Sequence, residues 1–194
     1  MKRFALGVAL GLLAAAPVFS QIVDPLQSDT LIKKVINEPG TRYNFYGSGY
    51  TQKVMKDADV PGGAFVRVDV ASKGTHPWDV GAGYDIDKPI KVGDVIFFAI
   101  YMRAPNLADG QTASMPGIGV VEQAAPYTPI AVGDKQVTKQ WNVYYVSGKA
   151  NVAWPRGKAH IAMQLAADKQ VIDLGPVFVL DLGPDYDINT LPHN

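Results

Sequence analysis

The chain has 194 residues, a formal net charge of zero at pH 7 and no cysteine. This length suffices for one medium-sized domain with its own hydrophobic core, and the lack of cysteine excludes disulfides and thiol catalysis. The balanced charge argues against nucleic acid as a partner, because proteins that bind nucleic acids carry a basic surface.

The first segment has the pattern of a secretory signal peptide. Residues 2–3 are basic, residues 4–16 are apolar, and Ser20 ends a small-residue cleavage site. The apolar stretch is shorter than the roughly 20 residues that span a bilayer, although an uncleaved anchor is the alternative. Cleavage of residues 1–20 would leave residues 21–194 as a single domain, with 16 basic and 18 acidic residues and a net charge of −2. We therefore expect a secreted or periplasmic protein of a bacterium.

Along the rest of the chain, short apolar runs alternate with turns rich in Gly, Pro, Asp and Asn, which is typical of an all-β sandwich. Residues 31–36 fit either a short strand or a helix. The predicted strands occupy residues 43–46, 50–55, 64–71, 78–86, 90–104, 117–123, 129–137, 140–147, 159–166 and 171–182.

Residues 90–104 form the clearest of these strands. The even-numbered residues Ile96, Phe98, Ile100 and Met102 are apolar and predict a core face, because side chains alternate along a strand. The odd-numbered face ends in Tyr101 and Arg103, with the small Ala99 before them. We expect the even face to be buried and the odd face to be open for recognition.

Sequence motifs of enzymes are not evident. Gly47-Ser48-Gly49 lacks the earlier glycine of a nucleophile elbow, and the three histidines do not have the spacing of metal ligands. No catalytic residues are therefore assigned. A pair of strand carboxylates across a cleft, as in glycoside hydrolases, stays an alternative. The candidates for such a pair are Asp69, Asp79, Glu122 and Asp181.

Polar side chains on the second faces of three predicted strands indicate a binding groove. Arg67, Arg103 and Gln164 each stand opposite core positions. Small residues beside them would leave a shallow depression, in which Arg and Gln bind sugar hydroxyls and aromatic rings stack on the sugar. A solvated sheet face without a ligand is the alternative.

The three tryptophans differ in their expected exposure. Trp141 opens an alternating strand and should be buried, whereas Trp154 lies in a loop beside Pro155 and should be the most exposed. Trp78 is predicted to begin a strand and is a candidate for stacking on a ligand.

Several motifs follow one another in a recognisable order. They are His76-Pro77-Trp78-Asp79-Val80, Lys88-Pro89-Ile90-Lys91-Val92-Gly93-Asp94-Val95, Tyr101-Met102-Arg103-Ala104, Pro126-Tyr127 and a strand opened by Trp141. This set resembles the CenC-type carbohydrate-binding modules, galactose-binding-like jelly rolls that are often attached to xylanases and other glycoside hydrolases. The resemblance extends over residues 43–182. It implies a jelly-roll β-sandwich of two antiparallel sheets that binds a polysaccharide or glycan in a cleft on one sheet.

Many modules of this kind hold a structural calcium ion near the first loops, with a ligand from the last strand. The resemblance places Asp181 at that last-strand position, with Asn37 and Glu38 as weaker candidates. Calcium takes six to eight oxygen ligands. A backbone or arginine partner for Asp181 is the alternative.

The predicted function is non-catalytic binding of a polysaccharide or glycan. Arg103→Ala is predicted to abolish binding without unfolding the protein. A protein-interaction domain of the cell envelope, using the same sheet face, is the first alternative, and a small polysaccharide hydrolase or lyase is the second. The predicted carbohydrate-binding residues are Arg67, Trp78, Tyr101, Arg103, Glu122, Tyr127 and Gln164.

Overall fold

The computed structural model describes residues 29–194. The chain divides into two units, Met1–Lys33 and Lys34–Asn194. In the described part of the first unit, Asp29–Ile32 form a short helix, α1. The predicted signal peptide lies outside the described residues. Within residues 29–194, no helix has the length and apolar character needed to cross a membrane.

The second unit is built from two antiparallel sheets of five strands each. The strands are β1 (Asn44–Gly47), β2 (Tyr50–Lys56), β3 (Ala64–Val70), β4 (Val80–Asp85), β5 (Val95–Arg103), β6 (Ala113–Glu122), β7 (Pro129–Val137), β8 (Asn142–Lys149), β9 (Ala159–Gln164) and β10 (Gln170–Asp181). We call the sheet with the order β1-β4-β9-β6-β7 the front sheet, and the sheet with the order β2-β3-β10-β5-β8 the back sheet. The protein is an all-β jelly-roll sandwich, as the sequence predicts.

The core lies between the two sheets and receives one face of each strand. Strand β5 pairs with β10 on one side and β8 on the other, so it is a central strand, and eight of its nine residues are buried. The prediction for its even-numbered face is confirmed, and the valines of β3 alternate in the same way. The core residues of these two strands are Ile96, Phe98, Ile100, Met102, Val66, Val68 and Val70.

The outer face of the back sheet is covered around β5 by other segments of the chain. Val60, in the loop before β3, packs beside Tyr101 at the bulge of β10. A Cβ on Gly175 would stand 3.1 Å from Val60 Cγ1 and 2.8 Å from Tyr101 Cβ. At the β8 edge, the C-terminal Asn194 donates through Nδ2 to Val143 O at 2.6 Å. The expectation of an open odd-numbered face on β5 is therefore wrong, since Tyr101 is only 2% exposed.

The tryptophans follow the sequence predictions only in part. Trp141 is buried, as expected, but Trp154 is only 3% exposed. The reason is a backbone bridge that draws its loop onto the sandwich: Ile90 N donates to Trp154 O at 2.9 Å, and Trp154 N donates to Ile90 O at 2.8 Å. Trp78 lies in the 3-10 turn Pro77–Asp79, just before β4, and is 54% exposed.

Candidate functional site

The outer face of the front sheet carries a band of residues with little or no side chain across its middle strands. Gly83 of β4 pairs with Ala162 of β9, which in turn pairs with Gly119 of β6. Gly81 lies on the same face two residues earlier in β4, because side chains alternate along a strand. We call Gly81, Gly83, Ala162 and Gly119 the glycine floor.

Tyr46 and Gln164 lie at the Gly81 end of the glycine floor, where the Tyr46 ring covers Gly81. Both pair with Gly81 in the register, from β1 and β9 respectively. A Cβ on Gly81 would stand 2.2 Å from the Tyr46 ring, and a Cβ on Gly117 would stand 2.6 Å from Gln164 Nε2. The two side chains therefore pack directly on the backbone at Gly81 and Gly117, in space that a larger residue would occupy. This confirms an outward orientation for Gln164.

Tyr127 stands at the other end of the front sheet, on the loop between β6 and β7. It is 59% exposed and has a positive φ of 59°, a conformation that costs energy for any residue with a side chain. The loop stabilises this conformation, because Tyr127 N donates to Ala124 O at 2.8 Å and Thr128 Oγ1 donates to Glu122 Oε2 at 2.8 Å. Burial raises the pKa of Tyr46, and the phenol of Tyr127 acts in the same direction.

His160 completes this face on the middle strand β9. The register places it between Asp85 of β4 and Val121 of β6. Burial lowers the pKa of His160, against an opposing effect of the Asp85 carboxylate. Its Nδ1 atom is buried and has no hydrogen-bond partner among the described residues. The ring also forms a hydrogen bond with the backbone of Glu122.

Sequence reasoning missed Tyr46 and the glycine floor. The available signal was glycine at alternate positions inside two strands, at 81 and 83 and again at 117 and 119. Glycine weakens the interior of a strand, and its presence there often marks a close approach of another group to the backbone.

Arg67 and Arg103 lie on the outer face of the back sheet and share one buried carboxylate. Asp173 accepts from Arg67 Nε at 2.7 Å and Nη2 at 2.8 Å, and from Arg103 Nε at 2.7 Å. Arg103 Nη1 also lies 3.1 Å from Asp57 Oδ2, and its guanidinium carbon is 4.5 Å from the Trp141 ring centroid. Both guanidinium groups are thus engaged by protein groups.

A single groove that combines Arg67, Tyr101 and Arg103 with Gln164 is not formed, because β9 belongs to the other sheet. The predicted binding residues on the back sheet are Arg67, Tyr101 and Arg103. Those on the front sheet and its loops are Trp78, Glu122, Tyr127 and Gln164. Their role in carbohydrate binding stays a prediction, and the second group lies around the glycine floor.

The carboxyl group of Asp181, the last residue of β10, lies close to that of Asp94. Gly183 N donates to Asp181 Oδ1 at 2.9 Å, and Lys91 N donates to Asp94 Oδ2 at 2.7 Å. Burial raises the pKa of Asp181, and the neighbouring Asp94 adds to this effect. Two carboxyl groups in contact either share a proton or neutralise a cation.

These residues fit a calcium ion only in part. Among residues 29–194, no group of three His, Cys, Asp or Glu side chains is placed to hold a metal ion. Backbone carbonyls would therefore have to supply most of the ligands. Asn37 is occupied otherwise, since Nδ2 donates to Val177 O at 2.9 Å and Oδ1 accepts from Val179 N at 2.8 Å. Its amide anchors the entry segment to β10.

No family model and no curated protein matches this chain, but solved structures share its fold. The second N-terminal cellulose-binding domain of Cellulomonas fimi β-1,4-glucanase C has 16% sequence identity and a TM-score of 0.56, over 76% of this chain and 94% of that domain. The CBM22-1 xylan-binding domain of Paenibacillus barcinonensis Xyn10C has 14% identity and a TM-score of 0.50, over 77% of this chain and 92% of that domain.

A third similar structure is the arabinose-bound MgGH51 α-L-arabinofuranosidase, with 13% identity and a TM-score of 0.53. The match covers 76% of this chain but only 25% of that enzyme. At these identities the similarity establishes the fold, which is that of carbohydrate-binding modules. The CenC type stays a prediction.

Proposed function

We propose that this protein binds a polysaccharide without cleaving it, on the outer face of the front sheet. The observation that carries the proposal is the glycine floor with exposed Tyr46 and Tyr127 at its borders. The row Gly83, Ala162 and Gly119 has no bulky side chain, so a sugar chain can approach the backbone there, and the tyrosine rings beside it offer apolar surface for stacking. Gln164 supplies hydrogen-bonding groups for hydroxyls.

The contrast between the two sheets supports this choice of face. On the back sheet, Tyr101 is buried, and Asp173 engages the two arginines. On the front sheet, Tyr46 and Tyr127 are exposed. The cellulose-binding and xylan-binding domains with the same fold add support for a polysaccharide as the ligand.

Secretion belongs to the same proposal. A basic start followed by an apolar stretch, in residues 1–20, is the pattern of a signal peptide. A polysaccharide-binding protein would meet its ligand outside the cytoplasm, so export and ligand class agree. Detection of a mature protein that begins at Gln21, by mass spectrometry of the culture medium or periplasm, tests this part.

Affinity electrophoresis in gels that contain soluble β-glucan, xylan or galactan tests the binding. We expect wild-type protein to be retarded in at least one gel, and Tyr46→Ala to weaken the binding about tenfold, equivalent to about 1.4 kcal/mol. Tyr186→Ala is the matched control, because Tyr186 is an exposed tyrosine on the C-terminal tail. Absence of retardation in every gel would overturn the proposal.

Two further readouts separate the alternatives. A protein partner captured on this face would resist competition by free oligosaccharide, whereas a polysaccharide would be displaced. Release of reducing ends or unsaturated products from the same three polysaccharides would reveal a hydrolase or lyase and contradict non-catalytic binding.

A further inference from the structure

Trp78 and His76 form a stacked pair on the loop that leads into β4. Their ring centroids lie 4.7 Å apart, with 14° between the ring planes. His76 covers one face of the indole, so the exposed surface of Trp78 belongs to the other face and the ring edges. The other two tryptophans, Trp141 and Trp154, are buried. A large exposed aromatic ring backed by a second ring is the kind of surface on which sugars stack.

The backbone that carries this pair is held on several sides. Asp79 Oδ2 accepts the backbone N–H of His76 at 2.9 Å, and Asp79 Oδ1 lies 3.6 Å from His76 Nδ1. Ala166 N donates to Pro77 O at 2.9 Å, which ties the loop to the end of β9. A Cβ on Gly74 would stand 2.7 Å from His76 O, so the loop is tightly packed. The indole is thus presented by a fixed frame.

The pair lies beyond one end of the glycine floor. Leu165, directly after Gln164, donates its N–H to Val80 O at 2.8 Å. Trp78 precedes Gly81 by three residues, and an extended chain rises about 3.3 Å per residue, so their backbones are within about 10 Å of each other. A polymer that occupies the floor and extends past Gln164 would reach the indole.

We propose that Trp78 is a second stacking subsite, which takes a pyranose ring of the bound polysaccharide outside the glycine floor, and that His76 is its positioning residue. The inference rests on the proposed function and extends the binding surface past the edge of the sheet. His76 acts by fixing the plane of the indole before the ligand arrives. A pre-ordered side chain loses less conformational freedom on binding, which leaves more of the stacking energy as affinity.

Binding of the soluble β-glucan, xylan or galactan that retards the wild type is measured for four variants. Trp78→Ala should weaken binding about three- to tenfold, in keeping with a single aromatic contact. His76→Ala should weaken it in the same direction, and His76→Phe, which keeps a ring behind the indole, should restore most of the affinity. Tyr46→Ala reports on the glycine floor independently.

Fluorescence reports directly on the contact between the His76 and Trp78 rings. Because Trp78 is the exposed tryptophan, acrylamide should quench it preferentially, and the polysaccharide should protect it. His76→Ala should increase quenching in the free protein, and His76→Phe should reverse the increase.

The outcomes distinguish the two proposals. Full affinity of Trp78→Ala together with loss of binding by Tyr46→Ala would overturn the subsite and leave the proposed function standing. Full affinity of His76→Ala, or no recovery by His76→Phe, would overturn the positioning role. Absence of wild-type binding to all three polysaccharides would overturn both proposals.

Discussion

Arg103 of β5 and Asp173 of β10 are register partners, and Arg103 Nε lies 2.7 Å from Asp173 Oδ2. Asp173 is 0% exposed, and its second oxygen accepts from Arg67 Nε at 2.7 Å. A buried carboxylate needs such partners, because an isolated charge in the protein interior is strongly unfavourable. The pair is therefore a structural element of the back sheet.

Arg103→Ala is expected to lower the free energy of unfolding by about 2 to 4 kcal/mol. Asp173 would keep only Arg67 as its charged partner, and the contact of the guanidinium with Trp141 would be lost as well. Urea denaturation measures the change. The folded variant should still bind polysaccharide as the wild type does, which reverses the sequence prediction for this substitution.

Lys53→Ala is the control for this substitution. Lys53 lies on the edge strand β2 opposite Arg67 and is exposed, so its removal should change the free energy of unfolding by no more than about 0.5 kcal/mol. An Arg103→Ala protein as stable as the Lys53→Ala protein, but unable to bind polysaccharide, would restore Arg103 to the binding site.

The sequence predicts those features of the sandwich that depend on the alternation of side chains along a single strand. The period of two is local, so it identifies the core face of β5 and the outward position of Gln164 on β9. Strand order depends on pairings between distant segments, and alternation carries no information about it. Gln164 and Arg103 therefore look alike in sequence, each opposite core residues, although they lie in different sheets.

The same limit explains the residues that sequence reasoning misplaced. Arg103 finds its carboxylate 70 positions away in the chain, at Asp173. Trp154 is buried because its loop bridges to Ile90, a contact that its proline-containing surroundings do not indicate. The glycine floor could have been recognised from glycine spacing, but only a known register shows that Gly83 and Gly119 lie in one row.

Alkaline pH should destabilise the protein through Tyr145, which stacks on Phe97 at a centroid distance of 5.5 Å. Burial raises the pKa of Tyr145 from 10.0 to about 12. Above pH 10 the folded state keeps the Tyr145 proton, whereas the unfolded chain loses it. The contribution of the protonated Tyr145 to the free energy of unfolding is therefore fully present below pH 10 and is lost as the pH rises towards about 12. The loss for this group should approach about 2 to 3 kcal/mol.

Tyr145→Phe should remove that part of the pH dependence. Urea midpoints at pH 9, 10 and 11 measure it, and Tyr186→Phe, at an exposed tyrosine, is expected to keep the wild-type slope. An unchanged slope in Tyr145→Phe would contradict the assignment.

Calcium should stabilise the wild type if Asp94 and Asp181 neutralise a cation together. A free calcium concentration of one hundred times the dissociation constant would raise the free energy of unfolding by about 2.7 kcal/mol. We expect calcium to raise the melting temperature of the wild type, a chelator to reverse the rise, and Asp181→Asn to abolish the response. Asp87→Asn serves as a control at an exposed carboxylate. Equal melting temperatures with calcium and with chelator would leave a shared proton as the role of the pair.

Gly83 and Gly119 lie in one row of the glycine floor but should respond differently to a methyl group. A Cβ on Gly83 meets its nearest atom, Ile161 O, at 3.4 Å, whereas a Cβ on Gly119 would stand 1.9 Å from Ala131 O at a φ of 143°. Gly119→Ala should therefore destabilise the fold by about 3 kcal/mol.

Gly83→Ala should fold with a stability within about 1 kcal/mol of the wild type, because the backbone accommodates alanine there. Its methyl group would project from the floor into the path of the sugar chain, so polysaccharide binding should weaken about tenfold. Urea denaturation and affinity electrophoresis of the same preparation measure both quantities. Loss of binding by a fully stable Gly83→Ala protein would show that the ligand binds on the glycine floor, since no other property of the sheet is altered. Unchanged binding by a stable Gly83→Ala protein would place the ligand elsewhere.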